Sequence, residues 1–208
     1  MFRLRFAIVL RVFAGLILTA PPLFAQETTP WTTVGSAGTV DEASLPLVLL
    51  GTPVPGAVGM RIVPGFISGV NIRYNVVAVP GLINVFGIAM TVRYRDHGSG
   101  ESVRAQLKQY NLFTGITTTL LEFDSNMFVQ ADTFQVQSVG TGACVPPFLT
   151  LNFVENSYFI DVFLTRNLLP VPPNNDPPVI FFSPPVAESA GPGPALAMIQ
   201  LARGICIL

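Results

Sequence analysis

The chain has 208 residues, half of them hydrophobic and only 11% charged, with a mean hydropathy of +0.56 and a formal charge of −1. So apolar a composition excludes intrinsic disorder. With a single lysine, Lys108, and scattered arginines, the chain lacks the clustered cations that displace counterions from nucleic acid, so that partner is excluded as well.

At the start of the chain, Arg3, Arg5 and Arg11 precede the apolar run Val12 to Ala20 and then Leu23-Phe24-Ala25. The run is well short of the roughly 20 apolar residues a spanning helix needs, and the small Ala25 suits signal-peptidase cleavage. Residues 1–25 are therefore read as an export signal, which places the protein in the periplasm or outside the cell. Removing them leaves eight basic residues against twelve acidic ones, a formal charge of −4 that also disfavours an anionic membrane surface. What remains suits one domain, since a sandwich or barrel of that length need not split. The expected division is 1–25 signal peptide, 26–44 lead-in segment and 45–208 a single β-sandwich domain.

The lead-in is rich in Thr, Gly and Ser and holds the only tryptophan, Trp31, read as a cap on the core. From residue 45 onward, apolar stretches alternate with Gly and Pro punctuation, as many short strands separated by turns would. Leu45 to Gly51, Val58 to Val63 and Val70 to Val79 are the first candidates. In Ile88 to Arg95 the residues Ile88, Met90, Val92 and Tyr94 share one face while Thr91, Arg93 and Arg95 share the other, the period of a half-buried strand. After the polar turn 96–100, Val103, Ala105 and Leu107 alternate with Arg104, Gln106 and Lys108, so the two segments are expected to form a hairpin. Ile116 to Asp124 follows as a threonine-rich strand, and Phe134 with Val136 marks another.

Leu149, Leu151 and Phe153 lead into a turn at 155–157. Tyr158 to Arg166 then carries apolar residues on both faces, so it is expected to be central and covered on each side, with Asp161 needing a partner. Seven prolines between Leu169 and Pro185 predict a long, stiff crossing with a short edge strand at 179–182. Ala195 to Ala202 alternates again and reads as a final interior strand. No helix of useful length is expected. The fold class is all-β, an antiparallel two-sheet sandwich with jelly-roll-like or Greek-key connections.

Two cysteines, Cys144 and Cys206, would sit in an oxidising compartment and are expected to pair as a structural disulfide. Such a bridge would close about 60 residues and tie down the end of the chain.

Chemistry is harder to find. The one histidine, His97, lies beside Asp96 and near Ser99 and Ser102, but a working triad needs its members on opposite imidazole nitrogens, which one tight turn does not supply. One His and two distant Cys are too few for zinc. Calcium could find oxygen ligands at Asp124-Ser125-Asn126 or Asn174-Asn175-Asp176, although Asp and Asn there serve equally well as turn formers. Glu122 and Asp161 stand inside apolar strands and are the carboxylates to weigh for glycoside hydrolysis; a bond to an arginine such as Arg93 accounts for each more simply. Of the tyrosines, Tyr94 and Tyr158 fall in inward-looking rows, whereas Tyr110, at the end of a strand, is the ring to test for contact with a sugar.

No catalytic, cofactor-binding or metal site is expected, and no cofactor. The sequence points to an exported, non-enzymatic binding or structural domain that contacts a glycan, a matrix component or a partner protein. Two alternatives are a small outer-membrane β-barrel and a subunit of an extracellular fibre or coat that assembles by strand addition.

Overall fold

Side-chain period decides which rows of this chain meet. The computed structural model describes residues 29–51, 54–61, 68–82, 87–98, 100–140, 150–166 and 193–203. In chain order the strands are β1 (Trp31–Val34), β2 (Thr39–Val40), β3 (Val48–Leu50), β4 (Val58–Met60), β5 (Ser68–Val76), β6 (Ile88–Asp96), β7 (Glu101–Asn111), β8 (Thr117–Asp124), β9 (Ala131–Gly140), β10 (Asn156–Arg166) and β11 (Ala195–Arg203). Short 3-10 turns at Gly35–Ala37, Glu42–Leu47 and Ser125–Met127 are the only helical pieces among the described residues.

The strands form two antiparallel sheets. One runs β3-β4-β11-β6-β9, with β1 also paired to β11, and the other runs β2-β5-β10-β7-β8. Between them lie the inward rows: Ile88, Met90, Val92 and Tyr94 of β6, Val103, Ala105 and Leu107 of β7, and Tyr158, Ile160, Val162 and Leu164 of β10. Phe123 anchors the middle, edge-on to Tyr94 with ring centroids 5.0 Å apart and stacked on Phe128 at 5.5 Å. The expected antiparallel two-sheet all-β architecture is therefore present. Two separate sheets over a packed core are not the single closed sheet that the barrel alternative requires. No helix among the described residues is long and apolar enough to cross a membrane.

The link between β6 and β7 differs from the expected hairpin. β6 pairs with β11 and β9, whereas β7 pairs with β10 and β8, so residues 97–100 carry the chain from one sheet to the other. Alternation alone cannot separate the two cases, because two half-buried strands can lie side by side in one sheet or face each other across a core. The apolar rows here do the latter. At this arch the fully buried Asp96 accepts a 2.5 Å hydrogen bond from Ser125 Oγ, and Ser125 Oγ in turn accepts from the backbone N–H of Val103. The hairpin of this region is β7–β8 instead.

The last strand also departs from simple alternation. A register shift between Leu196 and Met198 lets Leu196, Ile199 and Leu201 all reach the core, where strict alternation would have turned Leu196 outward. Trp31 is buried against the same core, in agreement with its reading as a cap, and β1 pairs with β11 of its own chain. Residues 45–47 belong to a 3-10 turn with Pro46 inside it, so the strand expected from residue 45 begins at Val48.

The expected disulfide is corrected: no disulfide bond is present among the described residues, and Cys144 and Cys206 themselves lie outside them. The anchorage assigned to that bridge comes from pairing, since β11 is held by β1, β4 and β6 at once. The segments read as a signal peptide, 1–25, and as a proline-rich crossing with a strand at 179–182 also lie outside the described residues.

Candidate functional site

The outer face of the five-stranded sheet collects the polar side chains that alternation turns away from the core. Across it, Thr39, Arg73, Asp161, Gln106 and Glu122 fall in one cross-strand row, and Asn75, Phe159, Lys108 and Thr119 fall in the next. Asp161 sits at the centre because β10 is the middle strand. Its carboxylate accepts two bonds from Arg73, Nε at 2.7 Å and the second nitrogen at 3.0 Å, and a third from Lys108 Nζ at 3.0 Å. The Arg73 guanidinium also lies 4.1 Å above the Phe159 ring. It is thus held on its edge by a bidentate carboxylate and on its face by an aromatic, an arrangement lysine could not reproduce.

Next to this array, Glu122 accepts from Arg104 Nε at 2.8 Å and from Gln106 Nε2 at 2.9 Å. Lys108 Nζ stands 5.8 Å from the Phe163 ring. Two open depressions flank Asp161. One of about 400 Å3 is lined by Thr39, Asp41, Asn71, Arg73, Asp161 and Phe163, and one of about 450 Å3 by Arg73, Asn75, Lys108, Tyr110, Phe159 and Asp161. Asp161 and Arg73 line both, so the two form one shelf divided by an ion pair.

Charge on the shelf is fixed by these partners. Burial pushes the Asp161 carboxyl up, but the hydrogen bonds and charges of Arg73 and Lys108 outweigh it and hold the group below the ordinary carboxylate range. For Glu122 the hydrogen bond from Gln106, with Arg104, outweighs a smaller burial effect and lowers it too. Because the Asp161 carboxyl titrates lower folded than unfolded, the stability it contributes is complete above its unfolded pKa of about 4 and is lost as pH falls through the folded value. Asp161→Asn is expected to cost about 1–2 kcal/mol at pH 7, with the difference from wild type shrinking as pH drops below about 4. Urea denaturation at a series of pH values measures this, and a difference independent of pH would contradict the assigned pairing.

The carboxylate partners differ from the sequence-based expectation. Arg93 lies on β6, in the other sheet, where its guanidinium is 5.8 Å from the Phe134 ring, and Arg73 and Arg104 take the role proposed for it. Glu122 and Asp161 do share a face, two strand spacings and about 10 Å apart with Gln106 between them. Both carboxyls are shifted down by their partners, Asp161, against burial, by Arg73 and Lys108, and Glu122 by Gln106 with Arg104, the opposite of the upward shift a glycosidase acid needs.

The other candidates fall away from the shelf. His97 Nδ1 lies against Asp132, Asp96 bonds Ser125, and Ser102 Oγ pairs with Thr165 Oγ1 at 2.5 Å, so no hydroxyl–imidazole–carboxylate chain is assembled; Ser99 lies outside the described residues. Asp124 Oδ1 accepts from the backbone and side-chain nitrogens of Asn126, both at 3.0 Å, the turn-forming role. Asn174, Asn175 and Asp176 lie outside the described residues, among which no group of three or more His, Cys, Asp or Glu converges. Tyr94 and Tyr158 are core residues as read, Tyr74 is buried with its hydroxyl donating to the Gly35 carbonyl, and Tyr110 is exposed at the end of the shelf.

The sequence matches no protein-family model and no curated protein. Among solved structures, the chain is 13% identical to a cycloalternan-forming enzyme from Listeria monocytogenes (TM-score 0.39) and 11% identical to an isomalto-dextranase from Arthrobacter globiformis (TM-score 0.42). In both cases 84% of this chain is aligned, but it spans only 12% and 23% of those proteins. A carbohydrate-binding module of Cellvibrio mixtus lichenase 5A aligns over 84% of this chain and 98% of its own, at 10% identity and TM-score 0.35. Likeness at this level is too distant to carry an assignment, and the architecture rests on the strand pairings described above.

Proposed function

We propose that the protein is an exported, non-enzymatic β-sandwich module whose five-stranded sheet binds an uncharged glycan on its outer face. The observation that carries this reading is the Arg73–Asp161–Lys108 array laid over Phe159 in the middle of an open shelf. Sugar hydroxyls both donate and accept, and the shelf offers both: unused guanidinium and ammonium N–H groups, carboxylate lone pairs, and the amides of Asn71, Asn75 and Gln106. Over the whole shelf the cations Arg73, Lys108 and Arg104 are matched in number by the anions Asp161, Glu122 and Asp41, which favours a neutral ligand. The array is pre-organised, so little side-chain entropy is lost on binding. An open shelf suits a polymer lying across the strands better than a small molecule enclosed in a pocket.

Affinity electrophoresis and calorimetry against a panel of neutral and acidic polysaccharides test the proposal. Wild type is expected to bind a neutral member, with Arg73→Ala weakening it about tenfold or more and Tyr110→Ala weakening it less. Binding to acidic polymers alone, or binding indifferent to both substitutions, would contradict the reading.

A second reading, assembly into a fibre or coat, has one feature in its favour. Among the described residues β9 is a ten-residue strand that pairs only with β6, leaving one edge for strand addition. The lead-in does not serve that purpose, since its β1 is taken up by β11 of the same chain. Size-exclusion chromatography separates the readings: the glycan-binding module is expected to run as a monomer, and a concentration-dependent polymer would favour assembly.

A further inference from the structure

The shelf has a direction as well as a chemistry. Alternation places outward rows across the five-stranded sheet, which β10 meets in turn at Phe163, Asp161, Phe159 and Ser157. The smaller depression takes its floor from the rows of Phe163 and Asp161 over β2, β5 and β10, with Asp41 and Asn71 at its far end. The larger one takes its floor from the rows of Asp161, Phe159 and Ser157 and reaches across β7 to β8, ending at Tyr110 and Thr117. Arg73 and Asp161 are common to both, so the two lie end to end along a diagonal of the sheet.

Strand geometry sets the length of that diagonal. Asp41 lies opposite Asn71, to whose carbonyl its N–H donates at 3.1 Å, and Thr117 lies opposite Tyr110. From Asp41 to Thr117, crossing from β2 to β8 and from the first row to the last, the span is about 28 Å, on the order of five pyranose units laid end to end. Both ends are open, since Asp41 and Thr117 are exposed. The opposite diagonal is occupied at its β7–β8 corner, where Arg104 and Glu122 are joined as an ion pair.

Each depression is open above and offers a single sugar few contacts. A chain long enough to fill both makes its second contact intramolecular, so the two weak affinities reinforce one another. Arg73 touches both halves. On the footing of the glycan reading, we infer that the ligand is an internal stretch of about five residues of a linear chain, lying along this diagonal in two halves that share Arg73 and Asp161. The open ends let the chain run on in both directions. The protein therefore reads the length and straightness of a segment and not its terminus.

Calorimetry with size-graded oligosaccharides, from disaccharide to octasaccharide, cut from the neutral polysaccharide retained in affinity electrophoresis, tests this. Affinity is expected to rise about tenfold or more between trisaccharide and pentasaccharide and then to level off. Asn71→Ala and Tyr110→Ala, at opposite ends, should each weaken the pentasaccharide about fivefold and leave the disaccharide unchanged, because a short chain moves to the intact half. Arg73→Ala should weaken every length. Phe113→Ser, 79% exposed on the β7–β8 loop and lining neither depression, is the control and is expected to change nothing. A heptasaccharide carrying a bulky label at its reducing end should bind as the unlabelled one does. Affinity already maximal at the disaccharide, equal loss at every length in the two end variants, or failure of the labelled chain to bind would overturn the inference and leave the glycan reading standing. Failure of every neutral polysaccharide to bind the wild type would overturn both.

Discussion

Phe123→Ala is expected to lower unfolding free energy by about 3–5 kcal/mol, the range for emptying a large aromatic from a packed core. Phe123 is fully buried and touches rings from two directions, Tyr94 edge-on and Phe128 stacked, so collapse around the void would have to break both contacts. A domain of this size is stable by only about 5–15 kcal/mol, so a third or more of the total would be lost. Phe163→Ala offers the matching control, because Phe163 is a phenylalanine on the outer face of the central strand and only half-buried. Urea denaturation should show the first substitution costing several times the second. Equal costs would mean that the sheets do not enclose the face assigned to them.

Gly35→Ala should cost about 3 kcal/mol, and for a different reason. Gly35 is buried at the end of β1 where three backbones converge. A methyl group there would overlap the Leu196 carbonyl oxygen of β11 and stand 2.9 Å from the Val58 nitrogen of β4, and backbone held in two ladders cannot move aside cheaply. Its carbonyl also accepts the buried Tyr74 hydroxyl, whose burial pushes its ionisation well above the ordinary tyrosine value. The substitution should therefore loosen β1 from β11 before the rest of the sandwich opens. Trp31, the only tryptophan, lies on β1 and reports this directly: its emission should shift to the red under native conditions while far-ultraviolet dichroism stays β-type. An unshifted emission with unchanged stability would contradict the close approach.

What the sequence made legible follows from what alternation encodes. Period two identified the core faces of β6 and β7 residue by residue, because each strand has one dry row and one wetter one; β10, expected to be covered on each side, is central but covered on one, since its Phe159, Asp161 and Phe163 row lines the open shelf. It also raised the question of how Asp161 is paired. It could not say which strands share a sheet. Ile88–Tyr94 and Val103–Leu107 carry the same pattern whether they lie side by side or face to face, and the tight turn between them suggested the wrong choice.

The candidate site depended on that same missing information. Arg73, Lys108 and Asp161 come from strands far apart in sequence and meet only because β10 runs between β5 and β7. Arg93 was an equally good partner for Asp161 on sequence grounds and fails only because β6 belongs to the opposite sheet. A single signal was available in advance: Lys108 is the sole lysine and stands in the polar row of its strand. The bulge near Ala197 was hidden for a related reason, since an extra residue changes the facing of Leu196 without changing composition.

The central claim is that the outer face of the five-stranded sheet is a pre-organised binding surface for neutral glycan. Calorimetric titration of the neutral polysaccharide bound most tightly, comparing wild type with Arg73→Ala and with Phe113→Ser, tests it most directly. The account predicts that loss of Arg73 reduces affinity about tenfold or more while loss of Phe113 leaves it unchanged. Unchanged affinity in Arg73→Ala, with the protein still folded, would contradict it.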